Sequence, residues 1–214
     1  MTINHHPQDE TLAAYASGTL DFARRFVIEA HAHSCQRCRK SIGLMEEIAG
    51  ALLAASQPAG MDPGCLQRVI ARFDGEPAQI ASSGRQSRIR PGLMRRVLDA
   101  PEQGAWAWAG PGLRLQSLHQ PPGKGARLFL LMAVPGLGLP NHTHTGNEIT
   151  LVLKGAFTHA GGRFAPGDCD DADDSDEHAP IVEPGETCIC LIAMEGQLKL
   201  SGWLGRIAQP FVRI

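Results

Sequence analysis

Residues 136–155 read GLGLPNHTHTGNEITLVLKG. His142 and His144 stand one residue apart, and along an extended strand alternate side chains project to the same face. Both imidazoles therefore point the same way, and Glu148 joins them after the intervening turn. The residues 149–153 that follow, ITLVL, form an apolar run of strand type.

Outward from this stretch, the second half of the chain breaks into short β-type runs separated by glycine and proline. They fall at 105–108, 113–118, 126–134, 149–153, 187–193, 198–204 and 209–214. Many short strands with closely spaced turns argue for a sandwich or barrel. The two histidines then face a barrel mouth. The run DCDDADDSDE at 168–177 is dense in charge and reads as a solvated loop. Cys188 and Cys190 lie on one side of an apolar strand, where i and i+2 neighbours stand about 6.5 Å apart with parallel side chains, so a direct disulfide is strained. Buried cysteine more often behaves as a small hydrophobe. The sharper alternative places one or both thiols inside the barrel near the histidines, with a part in oxidant sensing. Cys65 and Cys169 carry no motif.

The first half reads as helical. Acidic residues open 9–17, DETLAAYAS, and Gly18 follows as a stop. A second helix is expected over 20–33 and a third over 35–56, where Ile42, Met45, Ile48, Ala49, Leu52 and Leu53 recur at helical spacing. Leu66, Val69, Ile70 and Phe73 mark a fourth. Both stripes fit core packing first and a partner-binding face second. From 74 to 90 the apolar periodicity is lost among Gly, Pro, Ser and Gln, as in a linker. A short amphipathic segment follows at 93–98. The expected organisation is a helical domain at 1–84, a linker at 85–92 and a β domain at 93–214.

Between the second and third helices lies HAHSCQRC, 31–38. Residues four apart on a helix share a face, and Cys-x2-Cys at a helix start brings two sulfurs to one ion, so His31, Cys35 and Cys38 make a zinc-type site. His5 or His6 supplies the fourth ligand, while His33 points away from that face. Two thiolates and two imidazoles close a tetrahedron and leave no position for substrate, which makes the role structural. A helical domain below roughly 80 residues has a marginal core, and a metal commonly makes up the deficit.

Composition sets limits. The chain has 214 residues, a formal net charge of -2 and six cysteines. Such a charge provides no field for a polyanion, so direct nucleic-acid binding is disfavoured. The start, MTINHHPQDE, has neither the basic nor the apolar region of an export signal, and the longest apolar runs, such as 128–134, fall far short of a membrane span of about 20 residues. A cytoplasmic protein with no membrane partner is expected, and its thiols suit metal binding better than disulfides.

Two resemblances follow from these residues. Gly136-x5-His142-x-His144-x3-Glu148-x6-Gly155 resembles the first cupin motif at every position. The second motif is degenerate but in register: Gly167 lies eleven residues before His178, Asp173-Asp174-Ser175 replaces the usual Pro-x-Gly, and Val182 stands where Asn often does. The resemblance implies a jelly-roll barrel holding a metal on His142, His144, Glu148 and His178, with His119 and His159 outside the set. The N-terminal His followed by H-x3-C-x2-C, and MTINHHPQDETLAAYASGTL, resemble the ChrR-type zinc-binding anti-sigma factors. That implies zinc on His6, His31, Cys35 and Cys38, a second zinc in the cupin, and a helical domain that binds and inhibits an extracytoplasmic-function, sigma-E-like sigma factor. It further implies release in response to singlet oxygen or related oxidative stress. The expected fold is thus α+β and multidomain: a small all-α zinc-binding domain followed by an all-β cupin barrel.

Two other functions compete. A cupin enzyme such as a dioxygenase needs an octahedral metal, on which four protein ligands leave two positions open; tetrahedral zinc leaves none. A zinc-finger nucleic-acid binder is weakened by the acidic balance and the lack of a basic stripe. A regulator without catalytic activity fits best.

Overall fold

The structure, a computed structural model, describes residues 2–73, 91–123, 125–173 and 176–200. The helices are α1 (Asp9–Ala16), α2 (Phe22–Ser34), α3 (Gln36–Ala55), α4 (Cys65–Ala71) and α5 (Pro91–Asp99). Asp21 caps α2 by accepting the Ala23 and Arg24 amides, which starts that helix at Phe22 rather than at Leu20. Most of the stretch expected as linker lies outside the described residues, and its last two positions, 91 and 92, already belong to α5.

The strands are β1 (Ala107–Gly110), β2 (Leu113–His119), β3 (Arg127–Ala133), β4 (His142–His144), β5 (Glu148–Lys154), β6 (Phe157–His159), β7 (Gly162–Phe164), β8 (Cys169–Ala172), β9 (Ile181–Val182), β10 (Cys188–Met194) and β11 (Leu198–Leu200). Six form one antiparallel sheet in the order β1-β2-β3-β10-β5-β8. A pair, β11-β4, and a triplet, β7-β6-β9, complete the β part. The chain therefore has the expected α+β order, helices and then a cupin-like jelly roll. The strand expected at 209–214 and residues 201–204 lie outside the described residues.

Strand β10 shows why the core forms where it does. All seven of its residues are buried, because the central strand is covered on both faces. Cys188, Cys190, Ile192 and Met194 enter one core with Phe129, Val152, Phe157 and Phe164. Ile189, Leu191 and Ala193 face the other way and join Leu128, Leu130, Ile149 and Leu151 beneath Phe26, Val27 and Ile28 of α2 and Val97 of α5. Full burial of each large side chain contributes roughly 1.5–3 kcal/mol. The helices and the cupin sheet thus share a hydrophobic core.

The acidic run is a correction. Residues 169–172 form β8, paired with β5 in the register Leu151↔Cys169 to Glu148↔Ala172. Asp168 is buried because its carboxylate is satisfied by backbone: Oδ1 accepts the Asn4 and His5 amides at 2.7 and 3.0 Å, and Oδ2 accepts Ala165 N at 2.9 Å. Charge density alone concealed a strand whose acids are hydrogen-bonded rather than solvated. Strand β1 also starts two residues later than expected, and β6, β7 and β9 are too short to stand out by periodicity.

Candidate metal centres

The first centre sits where α2 meets α3. His6, His31, Cys35 and Cys38 bring one donor atom each to within 4.8 Å of every other. His31 Nε2 lies 3.3 Å from Cys38 Sγ, and His6 Nδ1 lies 3.4 Å from Cys35 Sγ and 3.5 Å from Cys38 Sγ. A tetrahedral zinc with ordinary bond lengths sets N···S edges of about 3.5 Å, so the donors fit such an ion. Cys35 ends α2 and caps α3, which places its thiol beside that of Cys38. His31 Nδ1 donates to Gly167 O at 3.0 Å, fixing the ring with Nε2 toward the cluster. Burial lowers the His31 imidazole to about 4, and burial with the neighbouring Cys35 pushes the Cys38 thiol up to about 12. A bound cation would reverse the second shift by stabilising thiolate. His5 turns away to stack on Phe164 at 4.1 Å, and His33 is exposed.

The second centre lies inside the cupin. His142 and His144, both on β4, and His178 form a buried trio. His178 is brought in by a bridge in which His142 and His178 exchange backbone hydrogen bonds of 3.0 and 3.1 Å. Their Nε2 atoms stand 3.0 Å apart, and His142 Nδ1 donates to Pro140 O at 2.7 Å, leaving Nε2 facing the trio. Neither ring nitrogen of His144 has a hydrogen-bond partner, although Glu148 Oε2 lies 3.3 Å from Nδ1. A buried imidazole left with no partner is what a ligand to an absent cation looks like, and the donor set suits zinc, manganese, iron or nickel. Burial holds His144 and His178 down to about 4 and raises Glu148 to about 7. Glu148 Oε1 accepts Thr150 Oγ1 at 3.0 Å; it stands beside the trio, outside the group whose donors converge.

An apolar cavity adjoins this centre, lined by Phe129, Leu131, Val182, Cys188, Cys190 and Ile192 together with His142, Glu148 and His178. Cys188 and Cys190 are free, with sulfurs 3.7 Å apart. His159 abuts His178 with ring centroids 5.4 Å apart and pairs with Asp170 at 2.9 Å. His119 packs on Phe22 at 4.6 Å. Sequence reasoning missed the supporting groups, Gly167 O, Asp168, Asp170 and Thr150. Only Gly167 carried a signal, through its register with His178.

A cupin-like sheet with a buried histidine trio, preceded by helices that gather two histidines and two cysteines, defines a cupin-class protein with two candidate metal-binding groups. Residues 94–198 match the family model described as the ChrR cupin-like domain. The chain is 36% identical over 219 residues to the anti-sigma-E factor ChrR of Cereibacter sphaeroides, with all of both chains covered. It is also similar to the crystal structure of Rhodobacter sphaeroides SigE in complex with the anti-sigma ChrR, at TM-score 0.71 and 36% identity, over 90% of this chain and 99% of that one. An RmlC-like cupin from Ralstonia eutropha aligns over 50% of this chain and 72% of its own, at 22% identity and TM-score 0.42. The chain belongs to the ChrR family.

Proposed function

We propose that this chain is an anti-sigma factor: its helical part binds and inhibits an extracytoplasmic-function, sigma-E-like sigma factor, and its cupin part governs release. Full-length identity to an anti-sigma-E factor supports the reading, and the helices add a physical reason. Leu44, Ile48, Leu52 and Leu53 of α3 are exposed together with Leu66, Val69 and Ile70 of α4 and the following Phe73; Leu53 is 75% and Phe73 81% accessible. Apolar side chains exposed at this density along consecutive helices mark an interaction surface. The single observation that carries the function is this exposed apolar run on α3 and α4, of which α3 begins at the preformed four-donor cluster.

Zinc is the ion proposed for both centres, on His6, His31, Cys35 and Cys38 in the first and on His142, His144, Glu148 and His178 in the second. At the first, zinc supplies a cross-link between the chain start and the α2–α3 junction. At the second, the three imidazoles and Glu148 would supply the donors, beside an apolar cavity lined by Phe129, Leu131 and Ile192. Because zinc is redox-inert, a response to singlet oxygen or related oxidative stress must oxidise ligands, residues beside them or a bound molecule. The same reading divides the chain into units 1–84 and 93–214 joined at 85–92, with a cytoplasmic location, no membrane, no direct nucleic-acid contact and no catalytic turnover. Among the described residues no helix is long and apolar enough to cross a membrane.

Co-expression of the full chain with a sigma-E-like sigma factor tests the reading. The two should co-purify and transcription should be blocked, and Leu53→Asp with Phe73→Asp should weaken capture at least tenfold while leaving metal content unchanged. Undiminished capture by that double variant removes the α3–α4 face from the account. Iron content with substrate turnover would favour the dioxygenase-like cupin enzyme instead.

A further inference from the structure

A cleft of about 600 Å³ separates the two centres, with His6 of one and His178 of the other in its wall. Rings bridge the same distance in contact. His178 meets His159 with centroids 5.4 Å apart, His159 stacks on Phe164 at 4.8 Å and 17°, and Phe164 stacks on His5 at 4.1 Å. His5 is the chain neighbour of His6. The middle ring is fixed from both sides: Gly161 N donates to His159 Nδ1 at 2.9 Å, so His159 Nε2 carries the proton it donates to Asp170 Oδ2 at 2.9 Å.

Asp170 lies on β8, and β8 also holds the start of the chain. Its other edge is the outer edge of the six-stranded sheet, and residues 4–8 lie along it. Cys169 N donates to His5 O at 3.1 Å, Asp168 Oδ1 takes the Asn4 and His5 amides, and Gln8 donates to Asp171 through N and Nε2, both at 2.9 Å. The segment that presents His6 is therefore attached by hydrogen bonds to Asp168 and to β8, by the stack of His5 on Phe164 and by burial of Pro7.

The geometry points to residues 4–8 as a two-state strap that couples the centres: docked on β8 it delivers His6 to the first cluster, and undocked it takes the fourth donor away. His178 is the first rung of the ladder, so what the second cluster holds sets where that rung stands. Asp170 acts as a positioning residue, through His159. Spatial continuity alone is not coupling, and an element with two arrangements is what both sites can bias. The inference rests on the reading of the second cluster as an occupied metal centre.

Amide hydrogen exchange of residues 4–8 in the full-length protein, with metal counted in the same sample, decides it. His144→Ala should lose one equivalent of metal and speed exchange of this segment at least tenfold, with α3 unchanged; exchange at the wild-type rate after that loss overturns the coupling. A His144→Ala protein that keeps its full metal content overturns the metal reading instead, and Asp170 variants then decide the strap. Asp170→Ala should speed exchange of residues 4–8 with both metals retained, while Asp170→Asn, whose amide oxygen still accepts from His159, should restore the wild-type rate. Equal rates in wild type and Asp170→Ala, or a rise shared by α3 and β10, contradict it.

Discussion

Burial keeps His31, His144 and His178 as neutral imidazoles down to about pH 4, and it pushes the Glu148 carboxyl up to about 7. The two directions have opposite consequences for the second centre. His144 and His178 need lose no proton above pH 5, whereas Glu148 in the metal-free protein is protonated below its raised value and must release that proton to coordinate. Apparent affinity at this centre therefore falls as pH falls through 7, by about fivefold between pH 7 and pH 6 for a single displaced proton. Metal titrations across pH 6–8 check this, and Glu148→Gln should flatten the profile; an equal slope in that variant means that Glu148 does not lose its proton on binding. Gly155 offers a second prediction at this scale. Its φ is +66°, and an added Cβ would stand 2.6 Å from Thr187 O and 2.9 Å from Cys188 Cα. Backbone cannot swing aside as a side chain can, so Gly155→Ala should cost about 2 kcal/mol or more in a denaturant melt.

At the scale of elements, the turn 165–168 and β8 carry consequences that composition hid. Asp168→Ala strands three amide donors around one buried site. Loss of charge-assisted bonds of this kind should destabilise the protein by about 3 kcal/mol, read as a shift in denaturation midpoint with unchanged slope. A loss below about 1 kcal/mol would mean that water replaces the carboxylate at no great cost. The contrast with other elements shows what a sequence discloses. Helix α1 was legible from its acidic first turn and the Gly18 stop, and α3 from its 3.6-residue apolar period, and β3, β5 and β10 because their apolar runs are long. Strands β6 to β9 have two to four residues each, too few for alternation to register, and in β8 the acids that suggested solvent are consumed by backbone amides and His159. Boundaries moved where a cap intervened, as at Asp21.

The whole molecule joins helices to a sheet rather than leaving them as separate bodies, and that junction was not readable from spacing. Only tertiary structure places Gly167 O on His31 and the start of the chain on β8. The two clusters were legible, because His31, Cys35 and Cys38, and His142 and His144, stand at the short, fixed spacings that a metal site needs. The choice of His6 over His5 rested on family resemblance, and the structure shows its physical basis: His5 is engaged by Phe164. A regulator with this architecture must give its signal differential purchase on bound and free states. Turning a complex from about 99% bound to 99% free takes on the order of 5 kcal/mol.

Two separate donor groups in one chain should appear as two bound ions, and the decisive measurement is the metal content of the purified full-length protein. Wild type should hold two equivalents of zinc, Cys35→Ser with Cys38→Ser one, and His142→Ala one. Fewer than two equivalents in wild type, or loss of both ions in either variant, would contradict it.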